Sequence, residues 1–518
     1  MRDAPIFMTP APQKTSWREG RSPFGVVGLF LALYFVMRVF SLSALPIFLD
    51  EAVHLQWAER LFSEGRILRP VGSGRLLAVV AYGLALPFED RLWVARLIAT
   101  MAGALTLVFT ILLSDRLFGA RASAIAGALY VLSPFALVYD RLALSDGFLS
   151  ACVTALMFSA WRLVEAPDDW SRRLAVALLM FLAILSKVSA PLFFLTVPLA
   201  VAALAPDRRS ALRALILASV IGLVCASPML WFFAANSGEI ASQHLVDPAR
   251  AGSTTIATLL DMREWVLSYF TVPALLAAVV SLLVLRDGRA RWLGGSVALP
   301  FVLFALFSQP WSARYVLSTL PPFLILIAGG VERLASRFKP GPSGIAACGL
   351  TALASLSFFS FDRALLFDPS TAPFPFDDRR QLVTGWPSGY GVREIADRLK
   401  REAQSGPIVA CVDSGGTRTL STSLAVLLAG HPSVGLVEGD FMSGTFRTSM
   451  AGLASGARVF AVLGPRASDF DFKSQLPGIV AERIEAYPRP GGEWAGTLFR
   501  LVAASESPAP IAANGRVF

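Results

Sequence analysis

The chain has 518 residues, of which 55% are hydrophobic and 16% charged, and its mean hydropathy is +0.59. Soluble chains carry about 25% charged residues, so this composition excludes a multidomain soluble protein. The net charge of +9 does not point to nucleic acid, because the basic residues sit in short clusters between apolar runs, as membrane orientation requires.

In chain order, residues 1–23 form a polar, basic tail expected in the cytoplasm. The apolar run from Phe24 to Leu45 has no small-residue cleavage site and reads as a retained anchor. Taking ~20 residues per crossing, about eleven spans follow, with cores near 24–45, 92–114, 121–139, 147–165, 173–187, 188–205, 212–234, 265–285, 292–308, 314–332 and 343–361. A cytoplasmic N-terminus puts Arg116/Arg121, Arg172/Arg173, Arg208/Arg209/Arg213, Arg286/Arg289/Arg291 and Arg333/Arg337/Lys339 inside. An odd number of spans then puts the C-terminal part outside. Residues 24–361 are thus read as a polytopic helical domain, mainly α.

Two outer regions are long, Pro46 to Arg91 and Asn236 to Glu264. Within the first, Glu51 to Ser63 carries an apolar stripe of Leu55, Ala58, Leu61 and Phe62, expected to lie on the membrane surface and to end at Gly65. Leu76 to Phe88 is too short for an easy crossing and reads as interfacial or re-entrant. After Phe361 the chain becomes polar, with a linker rich in Pro, Gly and Asp over Asp368–Gly391. Predicted helices at Val392–Glu402 and Leu420–Ala429 alternate with strands at Ile408–Val412, Ser433–Val437, Val459–Leu463 and Trp494–Val502. Residues 362–505 are therefore expected to form a small α/β extracytoplasmic domain, with 506–518 a tail. The four cysteines, Cys152, Cys225, Cys348 and Cys411, suggest neither a disulfide framework nor a zinc site.

Charges beside apolar helices are expensive and need a reason. Here they gather at the outer ends of spans: Asp50 and Glu51, then Asp140, Arg141 and Asp146, then Lys187, then Arg314 and Tyr315. Together they imply a cavity at the outer surface for a substrate with a lipid tail and a phosphate head, the phosphate against Arg or Lys and the reacting group at a carboxylate. Adjacent residues on a helix point about 100° apart, so Asp50 and Glu51 do not form one dyad. Each residue also has a plain structural reading. Asp50 could cap a helix and Glu51 favour its dipole. Asp140 could pair with Arg141 to brace a turn, Asp146 could cap the next helix, and Lys187 could snorkel. Arg314 and Tyr315 could be an interface anchor. His54, one turn after this pair, could share a divalent metal with Glu51; solvation is the plainer reading for it, as for His244 and His431. Asp413-Ser414-Gly415-Gly416-Thr417 lacks a full phosphate-loop pattern and reads as a turn.

Several segments in order resemble the GT-C class of membrane glycosyltransferases, among them the bacterial relatives of protein O-mannosyltransferase and of the lipid A aminoarabinose transferase. They are Leu49-Asp50-Glu51-Ala52, Arg91-Leu92-Trp93-Val94-Ala95-Arg96-Leu97, Asp115-Arg116-Leu117-Phe118-Gly119, Ser133-Pro134 leading to Tyr139-Asp140-Arg141-Leu142-Ala143-Leu144-Ser145-Asp146, Ala313-Arg314-Tyr315 with Pro321-Pro322, and Thr384-Gly385-Trp386-Pro387-Ser388-Gly389-Tyr390-Gly391. The resemblance spans about Phe24 to Gly391. It implies a polyprenyl-phosphate sugar donor, an acceptor that is lipid, glycan or protein, and transfer on the outer face of a bacterial inner membrane. It makes Asp50 the general base, with Glu51 and Asp146 in support and inversion at the anomeric carbon. Relatives carry a Lys-Pro-Pro-Leu-Tyr-like segment in the first outer loop. Here Gly72-Ser73-Gly74-Arg75-Leu76-Leu77 stands there, and Arg75 or Arg69 takes the phosphate contact, beside Arg141, Lys187, Arg314 and Tyr315. A flippase for a lipid-linked sugar, or a non-catalytic membrane scaffold, is the rival reading.

Overall fold

The computed structural model describes residues 23–65, 74–235, 251–307, 312–415, 418–454, 456–465, 470–492 and 494–504. The chain is mostly helical up to Ala403, with one five-stranded sheet beyond it. The first helices are α1 (Pro23–Val39), α2 (Leu49–Glu64), a short helix at Leu76–Tyr82, and α3 (Arg91–Phe118). Then come a helix at Ala120–Leu132, α4 (Pro134–Tyr139), α5 (Asp146–Glu165) and α6 (Trp170–Ser186).

The longest helices show how an apolar chain satisfies its backbone in a membrane. In α3, Asp90 accepts from the Trp93 amide at 3.0 Å and caps the start, and Gly119 (φ 92) ends it. The buried hydroxyls of Thr100, Thr106 and Thr110 return to carbonyls one turn back, which pairs each of these three with its own helix.

Among the described residues four helices are long and apolar enough to cross a membrane: Arg91–Phe118, Asp146–Glu165, Arg208–Phe232 and Ala313–Ala335. Two bent pairs raise this to six; the expected count of eleven is not reached by these criteria. The reason is breakage. The stretch expected at 121–139 is split at Ser133-Pro134, because proline cannot donate to the preceding turn. Thr255–Phe270 and Val272–Leu285 meet at 93° after a π-turn over Val266–Phe270. Pro342–Ala354 and Phe358–Phe367 meet at 59°.

Helix α2 ends at Gly65 in the left-handed region (φ 63), as its sequence predicts. Part of its apolar stripe, Leu55 and Ala58, is covered by protein, while Phe62 stays exposed. Ala52, Leu55 and Ala58 pack against Ala78, Val79, Tyr82, Ala95 and Ala99, and against Val426 from α8 (Arg418–Leu428) of the C-terminal domain. That helix offers its own apolar face, so the two stripes bury each other. Between them in the chain lies α7 (Phe376–Arg379), a single turn in the connector to the C-terminal domain.

The C-terminal sheet runs in the order β2-β1-β3-β5-β4, with β1 (Ile408–Asp413), β2 (Val434–Gly439), β3 (Val459–Leu463), β4 (Ile479–Pro488) and β5 (Trp494–Ala503). Strand β1 is parallel to both β2 and β3, while β5 is antiparallel to β3 and to β4. Helix Val392–Ala403 and α8 cover one face through Ile395, Leu399, Leu420 and Leu424. Helix Gly444–Ala454 covers the other through Met450 and Ala454. That helix and strand β4 were not expected. Strand β4 is an edge whose Glu482, Arg483 and Glu485 keep it polar, as exposed edges are, so it lacks an apolar strand signature.

Candidate functional site

Asp50 lies in the first turn of α2, which begins after Phe48. Its side chain does not cap the helix. Oδ2 accepts from Arg314 Nη2 at 2.6 Å. The Arg314 guanidinium also stands over the rings of Phe48, at 5.3 Å, and Tyr315, at 5.9 Å. Burial by itself would raise the Asp50 carboxyl, but the charges of Arg314 and Arg75 outweigh it and hold the group well below the usual carboxylate range. Arg314 Nε is buried and has no hydrogen-bond partner among the described residues.

A second carboxylate–cation pair stands beside the first. Asp146 opens α5, and its Oδ1 accepts from Lys187 Nζ at 2.5 Å. Lys187 follows the end of α6 and places its ammonium 4.0 Å from the centre of the Tyr315 ring. It is 4% exposed, so it does not snorkel to solvent. Asp146 also feels the charges of Arg314 and Arg75, which joins the two pairs into one cluster.

Arg75 completes the cluster from the start of helix Leu76–Tyr82. Its Nη1 donates to His54 Nε2 at 3.2 Å, and its guanidinium stands over Trp57. His54 Nδ1 donates in turn to the Ala143 carbonyl at 2.9 Å. Burial and then Arg75 push the imidazole down to about 4, which matches a neutral ring that accepts on Nε2. Asp50 and Asp146 against Arg75, Lys187 and Arg314 leave an excess of one positive charge.

Glu51 points elsewhere. It is fully buried: Oε1 accepts from Arg96 Nε and the Ala143 amide, both at 2.8 Å. Oε2 accepts from Arg96 Nη2 at 2.7 Å and the Phe48 amide at 2.9 Å. Arg96 spends its other donors on the carbonyls of Leu42, Leu45 and Pro46. This closed set of bonds ties the chain from Leu42 to Glu51 to α3. It leaves Glu51 no lone pair for a proton or a metal, and both His54 nitrogens are engaged. Among the described residues no three His, Cys, Asp or Glu side chains come together as a metal site.

Asp140 and Arg141 do not pair with each other. Asp140 accepts from Tyr34 at 3.0 Å and lies 3.9 Å from Arg38. Arg141 donates to the carbonyls of Phe40 and Ser41. Both brace the C-terminal end of α1, away from the Asp50–Arg314 cluster. Arg69 lies outside the described residues. Sequence reasoning overlooked Arg96 as the partner of Glu51, although a charge within an apolar helix always asks for one.

The chain has relatives in known proteins. Residues 77–232, under a third of its length, match the family model for dolichyl-phosphate-mannose-protein mannosyltransferase. No curated protein sequence matches. Among solved structures it is similar to ArnT from Cupriavidus metallidurans bound to undecaprenyl phosphate, at 18% identity and a TM-score of 0.56, covering 94% of this chain and 100% of that one. It is also similar to the oligosaccharyltransferase AglB from Archaeoglobus fulgidus in complex with an inhibitory peptide and a dolichol-phosphate, at 10% identity and a TM-score of 0.51, covering 96% and 76%. The chain has the fold of GT-C glycosyltransferases, and it is a multi-pass membrane protein.

Proposed function

We propose that this GT-C chain transfers a sugar from a polyprenyl-phosphate donor to an acceptor hydroxyl at the outer face of a bacterial cytoplasmic membrane. In this reading the shorter apolar helices complete eleven crossings and the sheet domain is extracytoplasmic. The observation that carries the proposal is the cluster of Asp50, Asp146, Arg75, Lys187 and Arg314, with one positive charge in excess. Such a site favours one anion, and Arg314 Nε is a buried donor with capacity to spare. The ArnT and AglB structures bound to lipid phosphates support the same class of ligand.

Asp50 is the general base. The acceptor oxygen attacks the anomeric carbon as its proton passes to Asp50, and the bond from that carbon to the phosphate oxygen breaks. The leaving phosphate takes the bonding pair, and Arg314, Lys187 and Arg75 stabilise its charge. A single displacement of this kind inverts the anomeric centre. Asp50 becomes basic when the donor phosphate draws Arg314 from it. Asp146 holds Lys187 in place, and Glu51 with Arg96 holds the first turn of α2, which carries Asp50. The acceptor is a hydroxyl of a lipid, glycan or protein.

Purified protein in lipid, incubated with a panel of polyprenyl-phosphate sugars, is expected to consume one of them, and Asp50→Asn is expected not to. Equal consumption by both would move the base elsewhere. Passage of the lipid-linked sugar across sealed vesicles without a covalent product would replace the reaction with transport.

A further inference from the structure

The connector after the last apolar stretch buries one carboxylate. Asp378, in α7, is 1% exposed, and four donors converge on it. Tyr139 Oη and Tyr269 Oη donate to Oδ2, the second at 2.6 Å. Ser312 Oγ donates to Oδ1 at 2.7 Å, and the Ala313 amide at 3.4 Å. Tyr139 Oη and Ser312 Oγ are themselves 3.1 Å apart. No ion pair is formed by Asp378 among the described residues, so its carboxyl group rests on three hydroxyls and one amide. A buried carboxylate held this way is stable only while every donor keeps its place.

Those donors come from three separate parts of the fold. Tyr139 ends α4 and begins the stretch that leads to Asp146. Tyr269 lies in the π-turn Val266–Phe270. Ser312 and Ala313 directly precede Arg314. The same connector reaches the other partner of the ion pair. The Leu49 amide, one residue before Asp50, donates to the Pro387 carbonyl at 3.1 Å. At Gly389 a Cβ would stand 2.1 Å from the Ile47 carbonyl oxygen, so only glycine lets the two backbones meet there. One connector thus grips the chain just before Asp50 and just before Arg314.

We infer that Asp378 is a positioning residue: by fixing Ser312 and Ala313 it fixes the backbone from which Arg314 reaches Asp50. It touches no reacting group itself. The inference rests on the reading of Asp50 and Arg314 as the working pair.

The test measures the coupling of that pair directly. A double-mutant cycle of Asp50→Asn and Arg314→Gln is read as the thermal midpoint of the full chain in detergent, first with Asp378 intact and then with Asp378→Asn. The non-additive part of the midpoint shift is expected to fall below half in the Asp378→Asn background. A residue that only adds stability would lower every midpoint and leave the coupling unchanged, and that result overturns the inference; so does the absence of coupling in the parent. If Asp378→Asn does not accumulate, Ser312→Ala removes one of its contacts and carries the same cycle to the same two outcomes. No donor is used. A chain that consumes no donor but shows Asp378-dependent coupling loses the proposed reaction and keeps this inference.

Discussion

Asp50 and Arg314 stand 264 residues apart in the chain and 2.6 Å apart in space. Their pair joins the first turn of α2 to the start of the apolar stretch Ala313–Ala335, and it sets the resting state of the site. In the proposed reaction the candidate base stays ionised and neutralised by Arg314 until an anion competes for that cation.

Removing that base is expected to lower kcat for donor consumption by about a hundredfold or more, the contribution usual for a positioned general base. Asp50→Asn keeps the shape of the side chain and one acceptor for Arg314 but leaves that buried cation without its counter-charge, so the thermal midpoint is expected to fall while the chain still folds. Loss of activity together with loss of fold would assign Asp50 a structural role.

The phosphate role of Arg314 predicts different behaviour from lysine and from glutamine. Arg314→Lys retains the charge without the planar fork, and is expected to lower kcat/KM about tenfold. Arg314→Gln is expected to cost at least tenfold more. Equilibrium binding of polyprenyl phosphate should weaken in the same order; unchanged binding in both would remove Arg314 from the phosphate site.

Glu51→Gln separates the two adjacent carboxylates. It leaves the Arg96 charge buried and uncompensated, a loss on the order of 3–5 kcal/mol. The expected outcome is a lower thermal midpoint and poor yield, with kcat of the surviving folded protein within a few-fold of the parent. A stable, inactive Glu51→Gln would return this residue to the chemistry.

The Asp146–Lys187 pair is buried on both sides. Either Asp146→Asn or Lys187→Gln alone strands a charge and should lower the midpoint, while the double substitution should cost less than the sum of the two. Additive shifts would mean that the two charges do not compensate each other.

His54 predicts a pH dependence. Burial and Arg75 displace its pKa from 6.5 to about 4. Between those values the unfolded chain binds a proton that the folded chain refuses, so stability is full above about pH 6.5 and falls as pH drops toward 4. The displacement is worth roughly 3 kcal/mol, and His54→Gln should flatten the midpoint against pH in this window. Asp50 adds to the loss only below the usual carboxylate range, because its own displacement is downward.

Much of this architecture was readable in the chain. Apolar runs separated the helical membrane domain from the polar C-terminal sheet domain, since lipid tolerates no other composition. Strand β3 is a continuous apolar run and falls at Val459–Leu463, as predicted. Gly65 ends α2 because the left-handed turn there suits glycine. The sequence also singled out Asp50, Asp146, Lys187, Arg314 and Tyr315, because charges and aromatic rings at the ends of apolar helices stand out against their surroundings. What it could not decide was pairing. Nothing local distinguishes Asp50 from Glu51, yet one faces Arg314 and the other is enclosed by Arg96. Asp140 and Arg141 are neighbours that brace different groups, and Asp378 was one of several acids in a polar linker. Each of these assignments depends on which distant segment packs alongside, and only the tertiary structure fixes that.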